Sequence, residues 1–329
     1  MSLTSLAKLA CIGALFLGAL SVHAKVLSTE LIVDGQVGGA MTAGKPSKWE
    51  FGFRDAETGE MAHHFHVMHE KPMHLIVVSR DLSHFAHVHP VLKEHSFKPF
   101  SIVANGKSAD PDNFAQSTLI PFAGPYYLFA EVMPMDYGML LFPYDLQVNG
   151  EARVDKALIP DGSENGTIIK YFDENGEVVA KAESAFYRTK LQIQPLDHCE
   201  IVLPRFELEL GMTDGLGGFV PVMDLEPWLQ SYGHAFVIGK NGALAAAKIV
   251  QHLHAVWPLP SDDISQDERG PFIELAAHSH GFSTPTDIYR TWIQIKRGGK
   301  VLSLQFTFDW NLEEQKEKSR GSFCFSRSF

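Results

Sequence analysis

The chain reads as all-β, with two tandem antiparallel β-sandwich domains of Greek-key, immunoglobulin- or cupredoxin-like type. Three observations predict this. Helical periodicity is scarce, while short alternating or wholly apolar runs recur between turn signals. The 329 residues are 45% hydrophobic, enough for one large or two ordinary domains with real cores. One order of elements also occurs twice along the chain.

The elements follow in order. Residues 1–24 carry Lys8, an apolar run over 9–20 and the small-x-small site Val22-His23-Ala24. That run is too short to span a bilayer stably and reads as a secretory signal peptide. Residues 25–150 form the first sandwich. Within it, 49–53 alternates, 73–79 is an apolar strand buried on both faces, and 126–132 and 140–148 are further strands. Residues 151–200 read as a connector with its own hairpin, in which 167–172 and 177–182 flank Asp173-Glu174-Asn175-Gly176. The second sandwich is expected over 201–312. Its strands are 206–210, 234–239, 249–256, 271–278, 289–296 and 301–310, and a single helical turn over 224–229 is capped by Asp224. Residues 313–329 are charged, then Ser-rich, and read as a frayed tail.

The repeat rests on matched landmarks. The first copy runs Trp49-Glu50-Phe51, Met73-His74-Leu75-Ile76-Val77, His87-Val88-His89-Pro90 and Tyr127-Leu128-Phe129-Ala130-Glu131-Val132. The second runs Phe206-Glu207-Leu208, Gly233-His234-Ala235-Phe236-Val237, His252-Leu253-His254 and Tyr289-Arg290-Thr291-Trp292-Ile293-Gln294. A histidine opens the same strand in both copies. A longer loop before the second H-x-H pair is easily accommodated.

Histidine distribution points to function. Most of the 16 histidines crowd between His63 and His95, interleaved with Met61, Met68 and Met73. Imidazole suits copper and zinc, and thioether suits copper(I). Alternate residues of a strand share a face, so His87 and His89 project together, as do His252 and His254. His74 and His234 are the natural third ligands. The expectation is a three-histidine site per domain: His74, His87 and His89, and His234, His252 and His254. His66, Met68 and His69 are secondary candidates, with His64, His66 and Met68 on one face of an alternating run and Phe65 and Val67 facing the core. Glu131 is either a carboxylate ligand or a surface charge.

Several classes are disfavoured. A net charge of −11 argues against nucleic acid as a partner. No later segment is apolar for long enough to cross a membrane once the signal is cleaved. The searched catalytic motifs (the G-x-S-x-G elbow, the H-E-x-x-H helix and the P-loop) do not occur, so no catalytic residues are assigned. Cys199 and Cys324 lack the following histidine and methionine that a blue-copper site needs. Their pairing with each other is left open.

A resemblance can be added. Met73-His74-Leu75-Ile76-Val77-Val78, Asp81-Leu82, Phe85 and His87-Val88-His89-Pro90 form a block that resembles one in exported bacterial β-sandwich proteins of poorly defined function. Those proteins are sometimes labelled heavy-metal or copper binding. Gly124-Pro125-Tyr126-Tyr127-Leu128-Phe129-Ala130-Glu131 is similar to their closing strand. The resemblance implies export and a sandwich fold. The combined expectation is a periplasmic or secreted protein that binds copper, or else zinc, for sequestration, delivery or resistance. The alternative is a non-catalytic envelope interaction module that binds another envelope protein and whose histidines are purely structural.

Overall fold

The computed structural model describes residues 27–319, apart from 94, 95, 97, 107–118, 136, 152, 165, 199, 200, 242–249, 259–268 and 278–283. The signal-peptide reading of 1–24, together with His95, Cys199, Cys324, His278 and His280, lies outside the described residues.

The protein is all-β, with antiparallel sheets packed face to face. We number the strands of four or more residues. The first half holds β1 (Leu27–Val33), β2 (Ser47–Asp55), β3 (Met73–Ser79), β4 (Phe85–Val88), β5 (Phe100–Ala104), β6 (Gly124–Val132) and β7 (Leu140–Asn149). One sheet has the order β1-β2-β5 and the other β7-β6-β3-β4, each widened by two-residue edge strands. Trp49, Phe51 and Phe53 of β2 face Leu75 and Val77 of β3 and Leu128 and Ala130 of β6 in the core between the sheets. Burial of each large apolar side chain there contributes about 1.5–3 kcal/mol.

The second half holds β8 (Thr167–Phe172), β9 (Tyr187–His198), β10 (Ile201–Thr213), β11 (His234–Gly239), β12 (Val250–Trp257), β13 (Phe272–Ala277), β14 (Asp287–Arg297) and β15 (Lys300–Trp310). Its pairing order, β9-β10-β13 and β15-β14-β11-β12, matches β1-β2-β5 and β7-β6-β3-β4 strand for strand. The difference is that β12 also pairs with β13, with a register shift between Ala255 and Trp257, which joins the two sheets into one continuous sheet.

Three expectations are corrected. Within 151–200 the expected hairpin forms about residues 173–176, but residues 163–198 do not stand apart as a connector: β9 pairs with β10 from Tyr187↔Met212 to His198↔Ile201, and β8 adds Ile168 and Phe172 to the second core. The helical turn over 224–229 is absent, because Leu225–Glu226 pairs with β14 and Asp224 accepts from Arg297 rather than capping a helix. The tail reading of 313–329 fails over its first residues, where α1 (Leu312–Ser319) forms. Its start is capped by Asn311, and Leu312 packs on the second core, which anchors a short helix that is otherwise polar.

A third apolar cluster joins the halves. Alternation puts Met73, Leu75 and Val77 of β3 into the first core and His74, Ile76 and Val78 on the opposite face. On that face Ile76, Val78, Tyr127 and Phe129 meet Phe236, Ile238 and Trp292 of the second half. Phe85 stacks on Trp292 with ring centroids 4.7 Å apart. Arg290 Nη1 donates across the seam to Leu82 O at 2.7 Å. Every residue of β3 and of β11 is therefore buried, as the expectation for 73–79 required.

Candidate metal centre

The seam between the halves gathers the histidines. His74, His87 and His89 bring three ring nitrogens within 4.8 Å of one another, and so do His234, His252 and His254. These are the two predicted trios. The structure adds that they meet. His74 lies 5.5 Å from His252 and His87 lies 6.3 Å from His234, ring centre to ring centre. Six imidazoles from two halves thus form one contiguous buried cluster, with His74 and His234 fully buried and only His254 partly exposed.

The local sequence explains each position. His74 is the second residue of β3, opposite Glu131 on β6, and His234 is the first of β11, opposite Gln294 on β14. His87 lies on β4 opposite Ile76, with His89 just beyond the strand; His252 and His254 lie on β12 opposite Phe236 and His234. Before each opening histidine the chain makes the same tight turn. Met68 and Lys71 exchange both backbone hydrogen bonds, as do Trp228 and Ser231. The two central residues of each turn take positive φ: His69 (45°) and Glu70 (67°), then Leu229 (50°) and Gln230 (60°). None is glycine or asparagine, so both halves hold an uncommon backbone at this place.

That turn aims a carbonyl at the histidine six residues on. His74 Nε2 donates to Met68 O at 2.9 Å, and His234 Nε2 donates to Trp228 O at 3.0 Å. The second histidine of each trio is held from the opposite half. His87 Nδ1 donates to Gln294 Oε1 at 2.9 Å, while Gln294 Nε2 donates to Ser303 Oγ. His252 Nδ1 donates to Glu131 Oε2 at 2.7 Å.

A neutral imidazole has one N–H and one lone pair, and these four acceptors favour the hydrogen on the outer nitrogen of each ring. The outer nitrogens carry the hydrogens. The inner ones, His74 Nδ1 and His87 Nε2, then turn lone pairs toward each other across 2.9 Å. His234 Nδ1 and His252 Nε2 do the same across 3.3 Å. Lone pairs so placed can both be given to one cation between or beside them. A proton is a poor candidate, because burial pushes His74 and His234 down, the latter to about 3. His87 and His89 fall well below the ordinary histidine range through burial and the neighbouring imidazoles. Nitrogens bound to one tetrahedral metal at roughly 2.0–2.1 Å sit about 3.3 Å apart, close to the spacing seen.

The secondary candidates divide. His66 is exposed and lies outside both trios. Met68 contributes its backbone carbonyl. His69 crosses the seam and stacks on His254, ring centres 3.8 Å apart. The alternating-run reading of 64–68 is only half right. Phe65 packs among Phe53 and Phe100, but Val67 is 65% exposed, because the segment makes isolated bridges at Phe65 and Met68 instead of a continuous strand. Glu131 is a buried acceptor for a histidine and not a surface charge. Gln294 and Trp228 went unrecognised in the sequence. Gln294 stands opposite His234 as Glu131 stands opposite His74, a correspondence that the sequence landmarks, aligned on Tyr127 and Tyr289, place one residue out.

The pattern of one protein family, described as a domain of unknown function (DUF8832), matches residues 29–150 and again 204–311. The two matches cover the two halves that meet at the histidine seam. No curated protein matches the chain.

Proposed function

The chain belongs to the DUF8832 family, and we propose that it is a metal-holding protein whose paired histidine trios bind copper, or else zinc. The observation that carries this is the tautomer arrangement: two buried imidazole pairs whose outer nitrogens are committed to acceptors and whose inner lone pairs converge. Hydrogen-bonded second partners of this kind orient metal-ligating histidines and raise their basicity. Both trios are all imidazole, a donor set suited to copper(II) and zinc. The deep burial favours holding an ion over exposing it to a substrate. Sequestration or delivery outside the cytoplasm is the task we infer, supported by the apolar leader-like run at 9–20.

The test is elemental analysis of the purified full chain, followed by copper and zinc titration with and without His87→Ala plus His252→Ala. Near-stoichiometric metal that is lost in the double variant supports the reading. Absence of metal, with no affinity tighter than micromolar in the parent, would sink it and favour histidines that serve only the fold.

A further inference from the structure

The two trios occupy equivalent places in a repeated fold, yet their surroundings differ in charge. Each trio borrows a residue from the opposite half, and the borrowed residues are themselves counterparts. Glu131 faces His74 across β3 and β6, and Gln294 faces His234 across β11 and β14. Glu131 reaches over the seam to His252, and Gln294 reaches back to His87. His252 is therefore hydrogen-bonded to a carboxylate and His87 to a neutral amide, while the Glu131 charge is felt by His74 only from across the strand pair. Both acceptors are buried, at 7% and 3% exposure, so the charge is little screened by water.

The caps differ in the same sense. The turn of the second half lays the Trp228 indole against the first trio, 5.7 Å from His87 and 6.3 Å from His89. The turn of the first half lays the His69 imidazole on His254 and near His234, at 3.8 and 5.9 Å. Each cap also reaches the other trio, with Trp228 5.2 Å from His234 and His69 6.3 Å from His74, but only the second trio has a cap imidazole stacked on one of its rings.

We infer that the trios are unequal sites of one centre: Glu131 makes His234, His252 and His254 the tight site, while His74, His87 and His89 form the weaker, exchangeable one. This rests on the metal-holding reading. A carboxylate that accepts from Nδ1 pushes electron density toward Nε2 and adds negative charge beside a bound dication, whereas an amide only orients the ring. Glu131 acts here as a positioning residue, through His252. The consequence is a protein that fills one site first and keeps it, and exchanges its second ion more readily.

Zinc(II) titration of the full chain against a chromophoric chelator tests this. Two ions per chain should bind in two steps separated by about 10–100-fold, the range typical of such outer partners. His254→Ala should remove the tight step and leave the weak one; His89→Ala should do the reverse. Glu131→Gln should weaken the tight step and close the gap. Gln294→Glu should tighten the weak step by a similar factor, which a merely structural role for this position would not do. Should Glu131→Gln fail to fold, Gln294→Glu decides alone. Two equal zinc sites in the parent, or a weak step that Gln294→Glu leaves unchanged or loosens, would overturn the inference while leaving metal binding intact. No binding of zinc, and none of copper(II) in the parallel titration, would overturn both.

Discussion

At the scale of single residues, the buried histidines set the acid limit of the fold. His234 is held near 3 by burial, and His74, His87 and His89 are also depressed. In the unfolded chain each returns to about 6.5. Between those values the unfolded state binds more protons than the folded one, so stability is complete above about 6.5 and declines as pH falls toward 3. Urea unfolding of the metal-free protein across pH 7.5 to 4.5 should show the midpoint dropping steadily below about 6.5. A flat profile would mean that these imidazoles are not buried as neutral groups. Bound metal should be lost in the same direction, because protons compete for the same nitrogens.

The element that matters most is the turn before each opening histidine. Glu70 and Gln230 hold positive φ, are solvent-exposed and make no contribution to the trios. A left-handed conformation costs a non-glycine residue roughly 1–2 kcal/mol, more than the backbone entropy that glycine adds. Glu70→Gly and Gln230→Gly should each stabilise the protein by up to about 1 kcal/mol, seen as a rise of a few degrees in Tm, with unchanged metal stoichiometry. A fall in Tm would show that these side chains do more than bear the turn. The turn itself is needed where it stands, because it presents Met68 O and Trp228 O to His74 and His234.

For the whole molecule, the seam is both a hydrophobic contact and the place where the histidine trios meet, so the proposed metal binding and the packing of the halves are linked. Trp292 packs against Phe85 on the same strand face that carries Gln294. Trp292→Ala should cost about 3–5 kcal/mol and should also weaken metal binding at the first trio, since Gln294 would no longer be held in place. Retained affinity in a folded Trp292→Ala protein would show that the trios assemble without the seam. Conversely, an ion at about 100 times its Kd should stabilise the folded chain by roughly 2.7 kcal/mol per site. Thermal scans with zinc and then with excess chelator should show a reversible rise in Tm, and that rise should disappear in the His87→Ala plus His252→Ala variant.

The sequence by itself determined the class of fold and the members of each trio. Strand periodicity located 73–79, 167–172 and 234–239 to the residue, and the two-residue repeat of a strand placed His87 with His89 and His252 with His254. Both are local properties, set by backbone geometry within a few residues. Only the tertiary structure decided that the trios share one centre, that residues 163–198 belong to the second sheet, and that Glu131 and Gln294 cross over to serve the opposite half. A strand pattern states which residues share a face but not what that face meets. The second face of β3 reads as apolar whether it packs on a helix, a lid or a copy of itself. Here it meets its own repeat, which turns two ordinary H-x-H strands into a single six-histidine site.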